Sequence, residues 1–140
     1  MLNHSITYRL TVNASTEHLA EVRKFVGNYA KQEGFSSEQI TDTRLAVDEA
    51  FTNIIKHAYQ NDESKTVHLE LQFDAEKLCI TLSDKGKSFD MTNYTFPDVK
   101  KQIKNKKRGG MGVYLIHHLM DEVVYRNKSQ ENVIIMCKHR

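Results

Sequence analysis

The sequence predicts an α+β fold, a two-layer α/β sandwich whose mixed, mostly antiparallel sheet carries helices on one face. Two observations predict it. Five short strand-like segments and three helical ones follow in the order strand, two helices, two strands, long loop, helix, two strands. Helices are therefore set between groups of strands instead of following each strand, as a parallel sheet requires. The chain is also 140 residues long with no internal repeat and no linker, so residues 1–140 read as one domain with one core.

Each element has its own signal. Ser5 to Val12 alternates Ile6, Tyr8, Leu10 and Val12 against polar neighbours, the period of a half-buried strand. Ser15 or Thr16 can cap a helix whose apolar stripe is Leu19, Val22, Phe25, Val26 and Tyr29, with Gly34 at its stop. Ser36 and Gln39 form a capping-box pattern that opens a second helix running to Tyr59. Its buried face is Ile40, Val47, Phe51, Ile54 and Ala58. Asn61 to Ser64 is a turn, and Lys65–Phe73 and Lys77–Asp84 are strands joined as a hairpin by Asp74, Ala75 and Glu76. The stretch from Lys85 to about Gly110 holds the single proline and is irregular, and a connection this long is usually functional. Gly112–Met120 reads as a helix, and strands near Glu122–Asn127 and Asn132–Lys138 close the chain.

Composition narrows the function classes. The apolar fraction of 39% and charged fraction of 27% are ordinary for a globular domain. A net charge of +2 gives no global argument for nucleic acid, and no apolar run reaches the length of a membrane span. The start lacks a signal-peptide hydrophobic region, so a cytoplasmic protein is expected. Cys79 and Cys137 fall inside strand-like runs and read as free buried thiols. The seven histidines are scattered, which argues against a metal cluster.

Four features carry chemistry. Glu49 and Asn53 are four residues apart on one helix, so a carboxylate and a carboxamide share a surface. The first can accept a proton, and the amide oxygen can hold a hard cation without cancelling its charge. A solvated helix face explains this pair equally well by itself. Asp84 ends a strand ahead of Lys85 and Gly86, which suits an ordinary Asp-x-Gly turn or a carboxylate accepting from the exocyclic amine of adenine. Arg108-Gly109-Gly110-Met111-Gly112 runs into a helix, where backbone N–H groups and the helix dipole favour an anion and Arg108 adds a forked donor. It is not a Walker pattern. Between these lies a basic loop with Lys85, Lys87, Lys100, Lys101, Lys104, Lys106, Lys107 and Arg108, suited to solvent, to phosphate, or more weakly to single-stranded nucleic acid.

Taken together, their order and spacing resemble the ATP-binding (Bergerat-type) fold shared by gyrase-type ATPases, histidine kinases and bacterial anti-sigma-factor serine kinases. Glu49…Asn53 resembles its N box, Asp84-Lys85-Gly86 its first glycine box, and Gly110-Met111-Gly112 its second. Within that superfamily the chain is most similar to the anti-sigma kinases of the stress-response and sporulation type. The residues that carry this are Asp48 to Asn53 with Lys56 to Tyr59, Asp84 to Asp90, Arg108 to Ile116, and Leu119 to Val123. The wider superfamily has glycine where this chain has Ser88, and the stress-response kinases resemble the chain there.

The resemblance implies roles by position. Asn53 would ligate Mg²⁺ on the ATP phosphates, and Glu49 would take the proton from an attacking serine or threonine hydroxyl. Asp84 would accept from the adenine amine, with Gly86 close under the base. Gly110, Met111 and Gly112 would line the phosphates, Arg108 would stabilise the transferring γ-phosphoryl group, and Lys56 would reach phosphate. The implied protein is a homodimeric, ATP- and Mg²⁺-dependent serine/threonine kinase and anti-sigma factor. It would bind a sigma factor and phosphorylate an anti-anti-sigma (STAS-type) protein, without direct nucleic-acid or membrane contact. An ATP-binding regulatory module with the same pocket and no protein substrate is the alternative.

Overall fold

The computed structural model describes residues 5–87 and 111–140, with only the backbone of Met111. Strand β1 (Ile6–Asn13) leads through a 3₁₀ turn (Thr16–His18) into α1 (Leu19–Gln32) and α2 (Ser37–Asn53). A π-helical turn (Ile54–Ala58) extends α2 directly, and β2 (Thr66–Phe73) and β3 (Lys77–Asp84) follow as a hairpin. After the undescribed stretch come α3 (Met111–Leu119), β4 (Glu122–Lys128) and β5 (Glu131–His139).

The five strands form one sheet in the order β1-β2-β3-β5-β4. A mixed, mostly antiparallel sheet was expected, and all four pairings among the described residues are antiparallel. Alternation decides which face is covered. Val67, Leu69, Leu71 and Phe73 of β2 and Leu78, Ile80 and Leu82 of β3 are buried on one face, while their neighbours point the other way. That buried face packs with Val22, Val26, Val47, Phe51 and Ile116 of the three helices into a single core. Each such side chain contributes about 1.5–3 kcal/mol of transfer free energy. The two-layer expectation therefore holds.

Capping chemistry sets the helix starts. Ser15 accepts from Glu17 N and caps the 3₁₀ turn, so the regular helix begins at Leu19, later than the cap implies. Ser36 Oγ accepts from Gln39 N at 3.1 Å while Gln39 Oε1 accepts from Ser36 N at 2.8 Å, the reciprocal capping box. The side-chain amide of Gln39 also donates to His139 O at 3.0 Å, tying the start of α2 to the end of β5.

One expectation is overturned. Cys79 and Cys137 are not free thiols but a disulfide across β3 and β5. The register sets the two residues directly opposite each other, with Cα atoms 4.1 Å apart. The pairing skips β4, so a separation of 58 residues hid it from a reading along the chain. Among the described residues no helix is long and apolar enough to cross a membrane.

Candidate nucleotide and phosphoryl-transfer site

Helix α2 is held on both sides before it presents anything. Thr43, Ala46, Val47, Ala50 and Phe51 face the core. On the flank, Arg23 Nε of α1 donates to Asp48 Oδ1 at 3.1 Å and Oδ2 at 2.9 Å, with Nη2 2.8 Å from Oδ2. That two-pronged grip fixes the rotation of α2 about its axis. Glu49 and Asn53 are left half-buried on the remaining side. Their side chains take no hydrogen bond or ion pair among the described residues.

Helix α3 lies against them. A Cβ on Gly112 would stand 2.6 Å from Glu49 Oε2 and 3.5 Å from both Nδ2 and Oδ1 of Asn53. Only a residue without a side chain lets the first turn of α3 come this close. The opposite end of α3 is tied to the opposite end of α2. Lys138 Nζ donates to Leu119 O at 2.6 Å and stands 3.4 Å from Asp42 Oδ2. The two helices thus run antiparallel, and the N-terminus of α3 is aimed at the Glu49–Asn53 face. The N–H groups of that first turn and its positive dipole end favour a phosphate beside those two side chains.

The other end of the site is built on the π-turn. Tyr59 N donates to Ile54 O at 2.9 Å, the wide i→i+5 bond, so the helix opens immediately after Asn53. The carbonyl of buried Ala58 accepts from Lys87 N at 2.6 Å. Gly86 passes so close that a Cβ would collide with the Ala58 carbonyl oxygen and lie 2.8 Å from the Tyr59 ring. The close approach expected of Gly86 therefore includes one to the end of α2.

Asp84 ends β3 and is only 4% exposed. Its Oδ1 accepts from Gly86 N at 2.9 Å and from Asn132 Nδ2 at 2.9 Å. Its Oδ2 has no partner among the described residues, leaving one acceptor for a ligand amine. Burial pushes the carboxyl above its ordinary range, and the bonds from Asn132 and Gly86 pull the other way.

The structure thus joins Glu49, Asn53 and Gly112 at one end, and Asp84 and Gly86 at the other, with the π-turn between. Met111 opens α3. Lys56 is exposed within the π-turn and makes no hydrogen bond or ion pair among the described residues. Arg108, Gly110, Ser88 and most of the basic loop lie outside the described residues.

Two contributors went unread in the sequence. Asn132 reads as no more than the first residue of the last strand, and only the Asp84↔Asn132 register reveals its role. Tyr59 reads as a helix-end aromatic, yet its hydroxyl is bonded on both sides.

Comparison with known proteins now decides the family. Residues 12–138 match the histidine kinase-like ATPase domain. The chain belongs to that family. It is 36% identical over 127 residues to the serine-protein kinase RsbW of Halalkalibacterium halodurans, covering 88% of this chain and 77% of the relative. The RsbW of Oceanobacillus iheyensis is 34% identical over 131 residues, covering 91% and 82%. Among solved structures, a chain of the SiaB–SiaC complex from Pseudomonas aeruginosa superposes with a TM-score of 0.69. It is 14% identical, covering 95% of this chain and 88% of that one, which speaks for the fold alone. Within the histidine kinase-like ATPases, the chain is a relative of the RsbW serine-protein kinases, as its boxes implied.

Proposed function

We propose that the chain is an ATP- and Mg²⁺-dependent protein serine/threonine kinase that also acts as an anti-sigma factor. Its substrate is a small anti-anti-sigma protein, and its working form is a homodimer. The observation that carries the kinase reading is the contact of Gly112 with both Glu49 and Asn53. A carboxylate with no hydrogen bond or ion pair among the described residues beside a phosphate-favouring helix start supports a base, which a module that only binds nucleotide does not need. The identity to RsbW kinases supports the same reading.

The residues divide the work. Asp84 Oδ2 accepts from the adenine amine while Asn132 and Gly86 hold Oδ1. The first turn of α3 offers N–H groups to the phosphates. The neutral oxygen of Asn53 suits a hard cation next to them, so Asn53 would hold Mg²⁺. Bound there, Mg²⁺ would offset phosphate charge. Glu49 takes the proton of the acceptor hydroxyl, a general-base role worth about 10²–10⁴ in rate. Arg108 is proposed to meet the transferring phosphoryl group.

The test is incubation with γ-labelled ATP, Mg²⁺ and the anti-anti-sigma protein encoded in the same genome. The expected result is label on a serine or threonine of that protein. Nucleotide binding with no transfer would instead make the chain a regulatory module.

A further inference from the structure

Tyr59 stands outside every role assigned above, yet its hydroxyl occupies a junction. It donates to Thr66 O at 2.7 Å and accepts from Lys85 N at 2.8 Å. The residue is 8% exposed, so these bonds compete little with water. One residue earlier Ala58 O holds Lys87 N, and between the two anchors Gly86 is pressed against the helix end. The segment Asp84–Lys87 is therefore pinned at Lys85 and Lys87 by consecutive residues of the α2 extension. The π-turn makes this possible, because its extra residue per turn places Ala58 and Tyr59 beyond the regular helix end.

We infer that Tyr59 is a positioning residue for nucleotide: its hydroxyl fixes the Asp84–Gly86 turn to the helix that carries Asn53, setting the spacing between the adenine-side carboxylate and the phosphate-side residues. This rests on the ATP-site reading above. Tyr59 itself acts through the turn. The phenol keeps its proton at neutral pH, since burial raises its pKa further, and so it remains the donor to Thr66 O.

Tyr59→Phe keeps the ring and deletes the two bonds. The probe is ADP, titrated by calorimetry, together with steady-state transfer from ATP to the anti-anti-sigma protein. The expected result is an ADP affinity and an ATP KM about 5–10-fold weaker, with kcat at saturating ATP within about twofold of the unmodified protein. Tyr8→Phe, which deletes a hydroxyl bonded to Gln32 away from this turn, should leave both unchanged. Unaltered ADP affinity in Tyr59→Phe, or a fall in kcat with KM intact, overturns the inference and leaves the ATP-site reading standing. Failure of the unmodified protein to bind ADP overturns both. Should Tyr59→Phe not fold, hydrogen exchange on the unmodified protein decides. A protected Lys85 amide supports the strut, and a freely exchanging one overturns it.

Discussion

Gly112 packs its backbone directly on the carboxylate of Glu49, close enough that a Cβ would stand 2.6 Å from Oε2. The obstructing atom is the end of a flexible side chain, so Gly112→Ala should push Glu49 aside without unfolding anything. Inside a helix, alanine is worth about 1 kcal/mol over glycine, which offsets the crowding. The expected outcome is an unfolding midpoint equal to or above that of the unmodified protein. Phosphoryl transfer should nevertheless fall on the order of 10²-fold, the scale of a 1 Å misplacement. Thermal unfolding and transfer kinetics on the same sample check it.

Gly86→Ala makes the contrasting case. Here the obstruction is the Ala58 carbonyl, backbone that cannot swing away. The new methyl must displace either the π-turn or the Asp84–Lys87 segment, at a cost of about 1–3 kcal/mol. Both denaturant stability and ADP affinity should drop together, and a variant that lost neither would contradict the packing described.

Asp84 links stability to pH with a definite sign. Burial holds its folded pKa above the unfolded value of about 3.9. The folded state therefore keeps the proton to higher pH. The stability tied to that proton is fully present below the unfolded pKa and declines as pH rises through the folded one. Asp84→Asn removes this decline, since the amide oxygen can still accept from Gly86 N and Asn132 Nδ2. Its stability relative to the unmodified protein should grow from about pH 4 toward neutrality, while adenine-nucleotide binding is lost because an amide donor faces the base amine. Urea unfolding across that range, paired with ADP titration, measures both.

Much of this site is legible in the chain because its parts are local. The Glu49/Asn53 spacing, the Asp84-x-Gly86 turn and Gly112 in the first turn of α3 each depend on residues within one helical turn or one loop. The strands are legible for a similar reason, with Lys77–Asp84 matching β3 at both ends. What escaped depends on register and on helix phase. Asn132 reaches Asp84, and Cys79 reaches Cys137, only because β5 pairs with β3 across an intervening segment. The π-turn escaped because the apolar spacing at Ile54 and Ala58 fits a continuing α-helix, whereas the bond from Tyr59 N to Ile54 O shows the wider turn. That one-residue shift is what brings Ala58 and Tyr59 to the Asp84–Lys87 segment.

The most direct measurement compares Glu49→Gln with the unmodified protein for ADP affinity and for phosphoryl transfer to the anti-anti-sigma protein. The variant keeps the shape of the side chain beside Gly112 and removes its basicity. The expected result is unchanged ADP binding with transfer reduced about 10²–10⁴-fold. Undiminished transfer would contradict the assignment of Glu49 as the base and, with it, the role given to the Glu49–Gly112 contact.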